Sequence, residues 1–224
     1  DGFFMEAAEA VLDLSDWPDA PWSLDVVSSL LDKSLLHTWF EHGQPRFGMY
    51  LSIQEYAAQK LGDEAKTVVL RHAKYFASFG EEAFLETIDS HDGVDRRKVL
   101  ALERDNFLGG VEGALLEGEF EAAAGCALAG AELFLLQGPY SDGIAILERI
   151  SEQQVGHETR ERLFRQAGRL LHLSGRFSES LKHFDQALSL AVKEGNRRGE
   201  GMTAGHLGML YREQGLIPEA LQHY

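Results

Sequence analysis

A stripe of basic side chains is the part of this sequence whose residue types and spacing are best suited to recognition chemistry. On a helix that turns about 100° per residue, Arg162, Arg165, Arg169 and His172 fall within about 80° of one another. Arg212 lies 40 residues after His172, at the matching place in a second, similar segment. A guanidinium group donates two parallel hydrogen bonds to a carboxylate, so arginines suit anion recognition. We predict that these five residues, the basic stripe, line a groove that binds a protein, an acidic peptide or an anionic inducer.

The overall charge makes the basic stripe stand out. The sequence has 21 lysines and arginines against 36 aspartates and glutamates, which gives a net charge of −15 at pH 7. Such a chain has no general attraction to nucleic acid or to anionic lipid, so neither a nucleic acid nor a membrane is an expected partner. The alternative interpretation of the stripe is a solvated helix face whose arginines pair with Glu158, Glu161 and neighbouring acids.

The motifs that indicate catalysis or a bound metal are missing from the sequence. There is no phosphate-binding loop of the GxxxxGK[ST] type, and none of the nine histidines lies in an HExxH motif. Ser141 lacks the GxSxG spacing of a nucleophile. The single cysteine, Cys126, excludes an internal disulfide and is typical of a reducing compartment. We therefore predict a cytoplasmic protein that is not an enzyme and has no catalytic residue, metal site or cofactor.

The first 62 residues predict a small winged-helix-like domain. Apolar residues recur first at helical spacing and then in two short strands separated by a turn. The predicted helices cover residues 4–12 and 23–33, and the predicted strands cover residues 35–40 and 46–51. Ser52 and Glu55 then show the spacing of a capping box, which predicts a third helix that ends near Gly62. Two helices, a hairpin and a further helix outline a winged helix.

The last third of the sequence contains an internal repeat. Residues 174–184 and 214–224 align at an offset of 40 residues, with a turn glycine, a glutamate, a leucine and a histidine at matching positions. Two more glycines at the same offset, Gly168 and Gly208, predict a close approach between two helices. This pattern resembles the tetratricopeptide repeat, with a spacing above the usual length of about 34 residues. The alternative is a set of unrelated amphipathic helices that share glycines.

The predicted fold class is mainly α. A small winged-helix-like domain with a β-hairpin (residues 1–62) is followed by a helical connector (63–118) and a tetratricopeptide superhelix (119–224) whose last repeat is truncated. A weaker copy of the repeat precedes the two clear ones. Because the chain starts within a helical pattern and ends inside the second helix of a repeat, we expect it to be a fragment.

Taken in order, several segments resemble the region that follows the nucleotide-binding core of bacterial STAND-class signalling ATPases. These segments are GFFMEAAEAVLDL, PWSLDVVSSLLDKSLL, RFGMYLSIQEYAAQKL and LRHAKYFASFGEEAF. The stretch LERDNFLGGVEGALLEGEFEAAAGCALAGAELFLLQG is similar to the connector that leads into the tetratricopeptide sensor of that family. The resemblance implies that the winged helix is an internal lid and hinge, in contact with a nucleotide-binding domain missing from this chain.

The nucleotide contact of that family does not carry over to this sequence. Many relatives have a histidine in a Met-His-Asp stretch of the wing that touches the β-phosphate of the nucleotide. This sequence has Met49, Tyr50 and Leu51 at those positions. Since the phosphate-binding loop is also missing, we expect the chain to bind neither ADP nor ATP.

The predicted function is the non-catalytic sensory and transducing arm of a STAND-type signalling ATPase or transcription regulator. This arm binds a protein partner or an inducer through the tetratricopeptide repeats. One alternative is a DNA-binding winged helix with the repeats as a dimerisation arm, although a wing whose cation is Arg46 alone offers few phosphate contacts. The other alternative is a plain tetratricopeptide scaffold for acidic peptides.

Overall fold

The computed structural model describes residues 2–14, 19–88 and 93–224. In the first half these residues form the helices α1 (Met5–Val11), α2 (Ser23–Asp32), α3 (Leu51–Leu61), α4 (Ala65–Ser78), α5 (Glu82–Ile88), α6 (Gly93–Leu102) and α7 (Arg104–Leu116), and the strands β1 (His37–Glu41) and β2 (Gln44–Gly48). The second half contains α8 (Phe120–Gln137), α9 (Tyr140–Ser151), α10 (His157–Leu173), α11 (Phe177–Glu194), α12 (Arg197–Glu213) and α13 (Ile217–His223). The predicted mainly-α fold is confirmed.

The hairpin lies within a few residues of its predicted position. β1 and β2 pair in antiparallel register, and His42 and Gly43 form the turn between them with positive φ angles of 50° and 81°. Phe3 adds an isolated antiparallel bridge to Phe47 on β2. The segment before α1 is thereby held against the hairpin.

The capping box predicted at Ser52 and Glu55 is wrong. Tyr50 is the N-cap of α3, with an extended backbone at φ −62° and ψ 142°, and no side chain caps the helix there. The helix therefore already begins at Leu51. Ser52 lies inside the first turn, after the N-cap position. Its hydroxyl therefore cannot accept hydrogen bonds from the unpaired N–H groups at the start of the helix. The helix ends just before Gly62, as predicted.

A buried ion pair attaches the hairpin to the helices that follow. Arg46 on β2 pairs with Glu103, between α6 and α7, and the two side chains are 3 % and 4 % exposed. The Nη2 atom of Arg46 also donates to the carbonyl oxygens of Gly2 and Leu102, each at 2.7 Å. The guanidinium lies 4.7 Å from the centre of the Phe4 ring. The wing arginine is therefore a core residue and cannot contact DNA phosphates, which counts against the DNA-binding interpretation.

The central helix of the protein is α8, which packs against α4, α7, α9 and α10. By length and composition α8 is long and apolar enough to cross a membrane, and core helices often share this length and composition. In this protein 56 % of α8 is buried inside the fold. The thiol of Cys126 on α8 donates to the carbonyl oxygen of Ala73 at 3.2 Å, and burial raises its pKa to about 12. This cysteine is therefore a packing residue.

The described residues from 120 onward stack as three helix hairpins, namely α8–α9, α10–α11 and α12–α13. Each hairpin turns through a glycine with positive φ. These glycines are Gly138, Gly175 and Gly215. A Cβ atom at Gly168 would lie 2.7 Å from the Phe184 ring, and one at Gly208 would lie 2.8 Å from the Tyr224 ring. The close approaches predicted at both glycines are confirmed.

Alanine substitutions at these two matching glycines should differ in their effects. Phe184 is fully buried, so its ring cannot yield, and Gly168→Ala should lower the free energy of unfolding by about 1–3 kcal/mol. Tyr224 is 68 % exposed, so its ring can turn aside, and Gly208→Ala should change stability by less than about 1 kcal/mol. Urea denaturation of both variants tests this difference. Equal losses at the two glycines would contradict the packing described here.

Candidate functional site

The first helices of the three hairpins form one continuous surface, with α5 and α6 beside it. We call the inner face the surface that α8, α10 and α12 turn towards α5 and α6. Two adjoining cavities of about 600 and 120 Å³ lie along it, and both are lined by Glu132 and Arg169. The titratable side chains lining the two cavities are Glu82, Glu86, Arg97, Glu132, Arg162, Arg165, Arg169, His172, Arg198, His206 and Glu213. The inner face is thus rich in charges of both signs.

Arg165 of the basic stripe is held in a buried ion pair. Its Nη1 atom donates to Oε1 of Glu161, one helical turn away, at 2.5 Å, and the two side chains are 6 % and 1 % exposed. Thr203 on α12 also donates to this oxygen, at 3.4 Å. Burial raises the pKa of Glu161, and the charge of Arg165 opposes that rise. Arg165 therefore has its anion within the chain, and this anion, Glu161, is one of the acids named in the alternative interpretation of the stripe.

Groups at and near α5 supply the partners for two more cations of the inner face. Arg162 donates to the backbone carbonyl of Gly80, in the turn between α4 and α5. Arg198, in the first turn of α12, pairs with Glu82 at 3.1 Å and also with Glu86. The side chain of Arg198 remains 54 % exposed. The contact between α5 and α12 therefore lies at the water-accessible edge of the inner face.

The remaining stripe residues differ in their surroundings. Arg169 donates to Oε1 of Glu132 on α8 at 3.0 Å, and Nε2 of His172 lies 2.6 Å from Oε2 of Glu213 on α12. Within the described part of the chain, Arg212 is exposed and lines neither of the two cavities. Four of the five stripe residues thus lie together on the inner face, and each of the four has a polar partner within the chain.

His206 on α12 lies close to the cations of the inner face. Its ring stacks on Phe184, with the ring centres 5.4 Å apart. Burial lowers the pKa of His206 to about 4, and the neighbouring Arg169, Arg165 and His172 lower it in the same direction. The cations of the inner face are therefore still felt at this point, although each of them has a partner.

The sequence indicates the stripe but reveals few of the other charged residues of the inner face. Glu132 carries a usable signal, because it interrupts an otherwise apolar run in α8. Glu82 and Glu86 are four residues apart and so share one helix face, which is also visible in the sequence. Arg198 gives no such signal, since its role depends on how α12 lies beside α5.

A metal centre finds no support in the part of the chain that the structure describes. No group of three or more histidine, cysteine or acidic side chains there is placed to hold an ion. The side chains that line the inner face include ion-paired and apolar ones.

Comparison with known proteins identifies the family of the repeats. Residues 159–224 match the family model described as tetratricopeptide repeat. The match covers most of α10 and continues to the last residue, so it includes both copies of the clear internal repeat. Searches of curated proteins and of solved structures gave no match. The chain thus contains tetratricopeptide repeats, which are non-catalytic motifs that indicate a role in protein–protein interaction or scaffolding.

Proposed function

We propose that the inner face binds an acidic segment of a protein partner, in exchange for the acids of α5. The observation that supports this proposal is the placement of Glu82 and Glu86 on Arg198. These two carboxylates form ion pairs with Arg198 in the way that the acidic side chains of a partner would. The chain thus holds an internal substitute for the partner on its own interaction surface.

The α5 contact is weak enough to be exchanged. Arg198, Glu82 and Glu86 are each about one third to one half exposed, and ion pairs of this kind contribute about 0–1 kcal/mol. α5 itself has seven residues, of which Ile88 is the buried one. The Arg165–Glu161 pair is different, because it is buried within α10 and against α12. An acidic partner would therefore displace α5 from Arg198 and leave the buried pair intact.

Charge reversal at Arg198 should abolish the capture of acidic peptides. The probe is a peptide selected against the wild-type chain from a display library of short random peptides, and fluorescence anisotropy measures its affinity. Arg198→Glu should weaken binding about tenfold or more, because the peptide loses its cation and meets a like charge. Replacing Glu82 and Glu86 together by Gln should tighten binding, because the internal competitor is weakened.

The neighbouring arginine provides the matched control. Arg197 is 88 % exposed and pairs with Glu200 within its own helix, so Arg197→Glu should leave peptide affinity almost unchanged. The proposal is rejected if selection gives no enrichment of acidic sequences. It is also rejected if the two arginine variants lose affinity equally.

Arg165 is a poor position for testing partner binding, although it belongs to the basic stripe. On an exposed stripe, charge reversal would leave the fold intact, because exposed charges contribute little to stability. In the structure, Arg165→Glu would place two carboxylates side by side in a buried position, beside Glu161. Arg165 variants would therefore report on stability and are unsuited to measuring partner binding.

We propose further that this binding arm belongs to a cytoplasmic STAND-type signalling ATPase or regulator. The support is the order of the parts along the chain, with helix breaks at Gly62 and Gly118, where φ is 51° and 74°. The Arg46–Glu103 pair ties the hairpin to the helices that follow, which suits a lid that responds to the repeats. A phosphate-binding loop encoded before residue 1 in the same reading frame would support this assignment. A full-length protein without one would reject it.

A further inference from the structure

A third cavity lies between the N-terminal helices and α4, and it shares no lining residue with the two cavities of the inner face. It has a volume of about 270 Å³ and an almost entirely apolar lining. Ala8 and Val27 form part of its buried wall, and Met49 and Phe76 also line it. Among the described residues, Leu12 at the end of α1 is one of the exposed members of the lining.

Two polar side chains, His72 on α4 and Asn106 on α7, line this otherwise apolar cavity. The Asn106 amide nitrogen donates to Gly2 O at 2.9 Å and to Glu103 Oε2 at 2.5 Å, so both of its hydrogens are used. Among the described residues, the partner of its Oδ1 atom is His72 Nε2, at a long distance of 3.4 Å. Burial lowers the pKa of His72, which keeps the imidazole neutral near pH 7. The polar end of the cavity thus has spare hydrogen-bonding capacity and no charge of its own.

We propose that this cavity binds a small neutral molecule with an apolar body and one hydroxyl group. A hydroxyl can donate its one hydrogen to Asn106 Oδ1 and accept a hydrogen bond from His72 Nε2 in the tautomer that carries a proton on that nitrogen. A volume of 270 Å³ suits a compact ring or short branched chain, since an apolar cavity of about 150 Å³ holds benzene. A carboxylate is disfavoured, because the Glu103 carboxylate lies on the other side of Asn106 and the walls are apolar.

Because of the position of this cavity, ligand binding would affect the junction between the hairpin and the helices that follow. Its walls come from the N-terminal helices, from the residue after the hairpin and from α4 and α7, so a bound molecule touches both sides of the junction that Arg46 and Glu103 fasten. Binding would therefore stabilise this junction, by an amount that grows with the logarithm of the ligand concentration above the dissociation constant. This inference is independent of the proposed partner site on the inner face.

The test uses p-cresol as probe, with toluene and p-toluate as analogues of the same shape. p-Cresol should bind the full chain with a dissociation constant of about 0.1–1 mM by calorimetry. Toluene should bind about tenfold more weakly, because it leaves the polar end unpaired, and p-toluate should not bind. Intermolecular NMR contacts between p-cresol and the Met49 methyl group should locate the ligand in the cavity.

A variant whose cavity is filled by a larger side chain should lose ligand binding. Ala8→Phe places a ring in the cavity and should weaken p-cresol binding about tenfold or more, whereas Ala58→Phe on the exposed side of α3 should leave binding unchanged. A size series in the wild-type chain gives a second test that needs no substitution, since 4-tert-octylphenol should be too large to bind. The proposal is overturned if p-cresol fails to bind. It is equally overturned if toluene or p-toluate binds as well as p-cresol, or if the NMR contacts lie away from Met49.

Discussion

Replacing Arg46 by Met is expected to lower the free energy of unfolding by about 3–5 kcal/mol, the largest loss that we expect from a single charge in this protein. The substitution would leave Glu103 buried without its cation, and it would remove two hydrogen bonds to the carbonyl oxygens of Gly2 and Leu102. Uncompensated burial of a carboxylate is far more costly than the loss of an exposed ion pair. Chemical denaturation of the variant measures the effect.

Two further variants make this result specific. Arg149 forms an ion pair with Glu112 that is about half exposed, so Arg149→Met should cost no more than about 1 kcal/mol. The double variant Arg46→Met with Glu103→Leu should recover much of the loss, because an apolar pair can replace a buried ion pair. If Arg46→Met and Arg149→Met are equally mild, the hairpin is not fastened to α6 and α7 in the way described.

Gly80→Ala is the second substitution for which we expect a large loss, of about 3 kcal/mol or more. A Cβ atom at Gly80 would overlap the carbonyl oxygen of Gly125 on α8. Both sides of this contact are backbone, so no side-chain rotation can relieve it, and α4 would have to move away from α8. The Gly80 carbonyl also accepts from Arg162, so the shift would reach the inner face. Thermal and urea denaturation would both register it.

An open helical glycine provides the control. Gly201 lies in α12, and a Cβ atom there would meet no other atom within 4 Å, so Gly201→Ala should stabilise the protein by up to about 1 kcal/mol. A Gly80→Ala variant as stable as the wild type would show that α4 and α8 are further apart than the structure places them.

The features that could be predicted from sequence are those set by local spacing. The helices, the hairpin and the turn glycines depend on short patterns, and Gly168 and Gly208 stand out because a glycine inside a helix costs stability unless packing requires it. The capping-box prediction is wrong because Tyr50, with its extended backbone, is the N-cap residue. The helix therefore begins at Leu51, one residue before Ser52.

The ion pairs of the basic stripe and of the other arginines could be predicted only in part. The Arg165–Glu161 pair is separated by one helical turn, and a pairing of this kind is the alternative to a free stripe that the sequence allows. The pairs of Arg198 with α5 and of Arg46 with Glu103 join residues far apart in the chain. Their existence depends on how whole helices pack, and no local spacing encodes that.

Hydrogen–deuterium exchange of the chain with and without the selected acidic peptide tests the central claim most directly. If the peptide takes the place of Glu82 and Glu86, amides of α12 and of the facing turns of α10 should exchange more slowly, and amides of α5 should exchange faster because its two ion pairs to α12 are lost. Slower exchange confined to α9 and α11, with α5 unchanged, would contradict the assignment of the inner face as the partner surface.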